Sequence, residues 1–215
     1  YTGHRMHLLK PVAFLFACLA VGVGLAVLSF AANVSTGWAG AIALAAWAFI
    51  ARRRWLEIEA ASGLEPGAPE RILWLRTAGN ALIVGHIVAS VLLVRDDLRL
   101  GNENTLAIDS WTLGLGQLAA TLLFRRDEKE RDERHAAIAA RGVRAGYTAL
   151  ILSLVVLLGW LAYAPPPQRA ALSHFVLANL VLVLVLASYG VMLLRQLLDY
   201  AIDTRQALAA ERSAP

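Results

Sequence analysis

The sequence predicts an all-α integral membrane protein of about six transmembrane helices, joined by short loops, with both termini on the cytoplasmic side and helical extensions into the cytoplasm. Three observations predict it. Of 215 residues, 58% are hydrophobic and 17% charged, and the mean hydropathy is +0.57, outside the usual composition of a soluble domain of this size. The charges gather in a few blocks. Between them lie apolar stretches long enough to cross roughly 30 Å of hydrocarbon at about 1.5 Å per helical residue. The Lys and Arg residues, finally, fall almost entirely on one side of those stretches.

Residues 1–215 read as a single transmembrane domain with spans over 12–31, 36–51, 72–94, 106–124, 145–164 and 170–194. Tyr1 to Arg5 precede the first methionine, Met6, and read as an appended remnant or a misplaced translation start, so they carry no functional weight. Arg5 and Lys10 ahead of an apolar run, with Ser29 and Ala31 at small-residue positions, also have the outline of a secretory signal. The run is long for a signal core and reads better as the first span. The second span is short, so it must begin near Thr36, tilt little and let Arg52 reach back to the interface. Asp109 stands just before the apolar part of the fourth, whose outer end is expected in headgroups or in protein.

An N-in arrangement places sixteen of the 20 Lys and Arg residues inside: Arg5, Lys10, Arg52, Arg53, Arg54, Arg71, seven residues within 125–144, Arg195, Arg205 and Arg212. Arg95, Arg99 and Arg169 fall outside, and Arg76 lies within the third span. This is the positive-inside bias expected of a membrane protein with both termini in the cytoplasm. Trp38, Trp111 and Trp160 then fall near the outer surface and Trp55 and Trp74 near the inner one, as aromatic belts do. Laying Trp38 on Trp111 also brings Arg52-Arg53 onto Arg125-Arg126, which suggests a parallel repeat of two helical hairpins.

The pI near 9.6 would suggest nucleic-acid binding in a soluble chain. Here the basic excess lies beside the spans, where topology and anionic lipid account for it, and no recognition motif accompanies it, so direct nucleic-acid binding is not expected. Cys18 is the only cysteine, which excludes an intrachain disulfide and a multi-cysteine metal site.

The most distinctive polar stretch is Arg125-Arg-Asp-Glu-Lys-Glu-Arg-Asp-Glu-Arg-His135. Opposite charges recur four residues apart in Asp127 with Arg131, Lys129 with Glu133 and Glu130 with Arg134, so the fourth span can continue as a helix beyond the membrane. The stretch reads either as a solvated helical turnaround or as a docking surface for a cytoplasmic protein or anionic headgroups. The candidate surface is Arg131, Asp132, Glu133, Arg134, Arg141 and Arg144, the last two at the membrane edge. Asp132-Glu-Arg-His-Ala-Ala-Ile138, followed by Arg141, Arg144-Ala-Gly-Tyr147 and two apolar spans, resembles a family of small, uncharacterised prokaryotic multi-span membrane proteins with an Asp-Glu-Arg motif before the last helical hairpin. The resemblance covers residues 127–200. It implies a membrane component of a regulatory pair, since genes of such families often sit beside a small helix-turn-helix regulator, and it carries over no catalytic residue.

Polar side chains inside the spans are few. His86 and Asn179 both lie roughly 12 to 14 Å below the outer surface by counting along their helices. Gln117 reaches a similar level and His174 lies nearer the surface, so these four form a candidate intramembrane polar cluster, with Asn80 deeper. Such groups are costly in hydrocarbon and often functional, but neutral His, Asn and Gln are also ordinary interhelical partners worth about 1 kcal/mol. A haem between His86 and His174 would need a separation that the count does not establish.

No His-Glu-x-x-His pair, Gly-x-Ser-x-Gly elbow or phosphate loop occurs, so no catalytic residue, cofactor or metal is expected. Gly114 and Gly116 and the small residues of 39–48 suit close helix contact or a homodimer. The expected function is therefore a non-enzymatic sensor or regulator whose 125–144 segment engages a cytoplasmic partner. The alternative is a small transporter or channel with a polar path near His86, Gln117 and Asn179.

Overall fold

A computed structural model of the chain describes residues 3–62, 68–94, 96, 98–99, 104–124, 133–170 and 172–213. Among them are seven α-helices and no strand: α1 Gly3–Ala32, α2 Gly37–Ser62, α3 Ala68–Val88, α4 Thr105–Phe124, α5 Glu133–Tyr163, the short α6 Pro166–Ala170 and α7 His174–Ser213. A π-helical turn, Ala89–Leu93, extends α3. Four helical stretches, Leu9–Ala32, Pro69–Leu93, Glu133–Tyr163 and His174–Gln206, are long and apolar enough to cross a membrane. The apolar part of α2 stops at Arg52-Arg53-Arg54, and α4 carries Asp109 and Gln117.

The helix ends follow from local chemistry. Asn33 adopts a left-handed φ of 50° and the Val34 N–H donates to the Ser29 carbonyl at 3.3 Å. This is a Schellman stop, for which Asn substitutes for Gly because its short polar side chain tolerates that region. Asn104 caps α4 through its side-chain oxygen, which accepts the Ala107 N–H at 3.0 Å, and Ser173 caps α7 by accepting the Val176 N–H at 3.2 Å. Pro11 sits inside α1, where it removes one helical hydrogen bond near the start of the apolar run. The sixth predicted span begins at His174 instead of residue 170, because Pro165-Pro166-Pro167 starts the separate short helix α6.

The helix directions follow from side-chain contacts. Phe14 meets Trp74 at 5.0 Å between ring centroids, and further along Gly22 lies against Leu82, so α1 and α3 run the same way. Gly37 lies on Asp109, Gly116 on Ala41, and Ala48 clusters with Ala120, so α2 and α4 also share a direction. Gly142 on Gln196 and Gly146 on Met192 make α5 and α7 antiparallel. Leu73 packs with Leu193 and Leu197, while Asn80 reaches Leu186, so α7 opposes α3.

The centre of the molecule is α3, which packs against α1, α4 and α7, whereas α5 is held by α7. Of the apolar window of α3, 78% is buried, against 6% for α5. The two halves of the suggested repeat thus sit in unlike surroundings: α2 and α4 lie side by side, but α3 is central and α5 peripheral. Val155, Val156 and Leu158 on α5, Phe16 and Phe30 on α1 and many further large apolar residues are exposed. A surface of that kind far exceeds the apolar patch of a water-soluble monomer and matches hydrocarbon as its solvent.

Candidate functional site

The described polar groups form three sites along the bundle. At one end, Asp109 on α4 is fully buried and ties three helices together. Its Oδ2 accepts the Ser29 hydroxyl at 2.8 Å and the Thr36 N–H at 2.9 Å, while Oδ1 accepts the Ser35 hydroxyl at 2.6 Å. The Thr36 hydroxyl lies 3.0 Å from the Leu25 carbonyl and 3.3 Å from Asp109. The carboxylate thereby closes the N-terminus of α2 from a different helix, where backbone N–H groups and the helix dipole favour negative charge. Gly37 makes this possible, since a side chain there would collide with the Asp109 backbone. The expectation for Asp109 allowed headgroups or protein; protein encloses it. The signal was the trio Ser29, Ser35 and Thr36, but nothing in their spacing points to a partner more than seventy residues away.

Deeper in the bundle is the α3–α4 seam. His86 has no exposed surface, and its Nδ1 lies 3.1 Å from the Ser110 Oγ. Ser110 also donates to the Leu106 carbonyl at 2.9 Å. A serine has one hydroxyl proton, so with that proton on Leu106 the imidazole carries its own on Nδ1, and Nε2 is a bare acceptor. Among the described residues, His86 Nε2 and the buried Gln117 Oε1 have no hydrogen-bond partner, and neither has Thr77 Oγ1 elsewhere on α3. The Gln117 amide lies in the space a side chain at Gly79 would take. The Ser90 hydroxyl takes the His86 carbonyl at 2.8 Å as the chain passes into the π turn, a feature that recurs at functional sites.

The four residues of the expected cluster are only partly together. Asn179 donates to the Phe175 carbonyl of its own helix at 3.0 Å and, with Ser110, lines a cavity of about 210 Å³ whose other walls include Ile83, Trp111 and Leu186. The cavity exists because α4 and α7 both pack on α3 while making little contact with one another. His86 stands behind Ser110. Gln117 is seven residues further along α4, roughly 10 Å away, and His174 is exposed at the start of α7 with its ring 4.2 Å from that of Phe175. Arg99 lies over the other side of this end, its guanidinium 4.7 Å from the Phe175 ring centroid.

At the opposite end of the bundle, charged residues join α5 to α7. Asp199 accepts Arg141 Nε at 2.8 Å and Arg195 at 2.9 Å, Asp203 accepts Arg134 Nε at 3.0 Å, and His135 Nδ1 meets the Tyr200 hydroxyl at 2.6 Å. Of the expected docking surface, Arg131 and Asp132 lie outside the described residues. Glu133 and Arg144 are exposed, and Arg134 and Arg141 are engaged with α7. Among the described residues, no group of three or more His, Cys, Asp or Glu side chains is arranged to hold a metal. No family model, curated protein or solved structure matches the chain.

Proposed function

We propose that the chain is a non-enzymatic, six-span sensor or regulator of a prokaryotic inner membrane, with both termini in the cytoplasm and a cytoplasmic protein as its partner. The observation that carries this reading is the unbroken helix α7. Its 40 residues extend about 60 Å, twice the hydrocarbon thickness. One rigid rod thus passes from the Arg99–Phe175 contact, past the cavity at Asn179 and the Asn80–Leu186 bond, to the ion pairs with α5. A change at the far end or in the cavity has a direct mechanical route to the charged end. Six crossings are supported by direction: α1, α3 and α5 run the same way, so α2 and α4 have to return even though neither is among the four helices long and apolar enough to cross by length and composition. The sixteen-to-three bias in Lys and Arg supports the N-in orientation.

The partner surface in this reading is the start of α5 with the segment before it, Arg131, Asp132, Glu133 and Arg134, in the motif that resembles the Asp-Glu-Arg family. A photo-crosslinking residue at position 133, in cells expressing the full chain, should yield one adduct with a cytoplasmic protein. Reversing Arg131 and Arg134 together should abolish it. Because Arg134 also binds Asp203, the swap R134D/D203R keeps the α5–α7 pair while inverting the surface, and it too should lose the adduct. An adduct that survives both variants rejects this surface.

A transporter or channel is the second reading, favoured by the buried His86 Nε2 and Gln117 Oε1 on the α3–α4 seam, which have no hydrogen-bond partner among the described residues. Unpaired buried polar atoms are rare and call for water, an ion or stored strain. Proton flux into proteoliposomes that disappears in His86→Ala favours this reading over regulation.

A further inference from the structure

The antiparallel register of α5 and α7, with Gly142 on Gln196 and Gly146 on Met192, brings Arg195 level with the turn of α5 that carries Arg141 and Arg144. Asp199, 4% exposed, holds Arg141 on one carboxylate oxygen and Arg195 on the other. A single buried anion thus fixes two guanidinium groups from two helices, and their side chains remain 46% and 47% exposed. Arg144 beside them has no ion-pair partner among the described residues. All three arginines line an open hollow of about 530 Å³. Asp203, one turn further along α7, also acts on Arg141 but is itself paired with Arg134, so the three cations around Asp199 leave a positive excess in the hollow.

The hollow continues away from the charged end over Thr148 and Leu152 towards Val155 and Val156, which are exposed. A polar, cationic mouth thus opens onto an apolar lane along the lipid-facing side of α5. We propose that this hollow is a binding site for an anionic phospholipid, its phosphate held by Arg144 and by the outer faces of Arg141 and Arg195, and its acyl chain lying along Leu152 and Val156. The apolar lane distinguishes this occupant from a soluble anion, which would have no use for it. Basic pockets at the cytoplasmic ends of membrane helices recognise such headgroups. The site takes Arg141 and Arg144 out of the protein-docking surface and leaves that role to residues 131–134. Its assignment to the cytoplasmic leaflet rests on the orientation proposed above; binding itself does not.

The test is native mass spectrometry of the full chain in a neutral detergent, titrated with phosphatidylglycerol, with phosphatidylcholine of the same chains, and with inorganic phosphate as competitor. Phosphatidylglycerol should bind about tenfold more tightly than phosphatidylcholine. Arg144→Gln should weaken phosphatidylglycerol about fivefold, which corresponds to one arginine at a headgroup, and leave phosphatidylcholine binding and lipid-free thermal stability unchanged. Equal binding of the two lipids, or an R144Q variant that binds phosphatidylglycerol like the parent, overturns the proposal. Displacement by millimolar inorganic phosphate would make this a soluble-anion site and overturns the lipid assignment. Since the readout is independent of topology and of any protein partner, it can fail while the regulatory reading stands, and the converse.

Discussion

The α1–α4 part of the molecule and the α5–α7 pair solve helix association in opposite ways. In the first, polar groups are buried and glycines bring backbones together: Asp109 joins α1, α2 and α4, Gly22 and Gly85 seat α1 on α3, and Gly40 and Gly116 seat α2 on α4. In the second, Gly142 and Gly146 provide one close seam, and the remaining polar ties, at one end, are ion pairs whose arginines are half-exposed and the His135–Tyr200 hydrogen bond. Hydrocarbon gives no hydrophobic drive for helices to associate, so close packing and hydrogen bonds decide which helices are held firmly. α1–α4 thus forms the scaffold, and α5, packed chiefly on α7 with Ile138 reaching Leu73 of α3, is the more peripheral element.

This contrast can be broken most directly at Asp109. Asp109→Ala leaves the Ser29 and Ser35 hydroxyls and the Thr36 N–H without their shared acceptor in a buried site, and the expected loss of stability is roughly 3–5 kcal/mol, read by unfolding in mixed detergent micelles. Asp109→Asn keeps part of the acceptor set and should lose less. A loss below about 1 kcal/mol for D109A, the size of an ordinary hydrogen bond, would show that the carboxylate does not fasten these helices.

The next effect in size is expected at Gly79. Its Cβ position is taken by the Gln117 amide, so Gly79→Ala should cost about 1–3 kcal/mol as overpacking. The double variant G79A/Q117A should recover most of that, because the shorter side chain vacates the site. Additive losses would mean that the two residues do not share this space. Ser110→Ala removes the hydrogen-bond partner that the His86 ring has among the described residues and should cost about 1 kcal/mol, with a larger loss indicating that the pair is part of a wider network.

Smallest is the charged end. Arg134→Ala, in a pair with side chains 53% and 29% exposed, should change stability by about 0.2–1 kcal/mol while removing the proposed partner adduct. A loss comparable to that of D109A would abolish the distinction between scaffold and pair.

Much of the fold was legible because hydropathy and charge act locally. Each predicted span overlaps a helix, with positions 36, 94 and 164 just beyond the helix ends and the sixth span starting four residues ahead of α7, and the ends at 31 and 36 lie close to the Asn33 stop and the Gly37 start. The four strongest spans also meet the length and apolarity needed to cross a membrane. What was not legible is tertiary. Asp109, read from its neighbours, resembles a residue at a headgroup boundary, and only the fold supplies donors from 73 to 80 residues away. His86 and Gln117 look equivalent by depth, yet Ser110 claims one and Gly79 accommodates the other. The small residues of 39–48 carried no information about which neighbour they face; Gly40 and Ala41 serve α4.

In the orientation proposed above, the Asp109 end of the bundle faces outward and the Asp199 end faces the cytoplasm. With Cys18 replaced by alanine, single cysteines at Tyr163, 91% exposed at the end of α5, and at Arg205, exposed on α7, can be labelled in intact cells with a membrane-impermeant maleimide. That orientation predicts labelling at position 163 in intact cells and at position 205 only after permeabilisation. Labelling of position 205 in intact cells, or of position 163 only after permeabilisation, would contradict it.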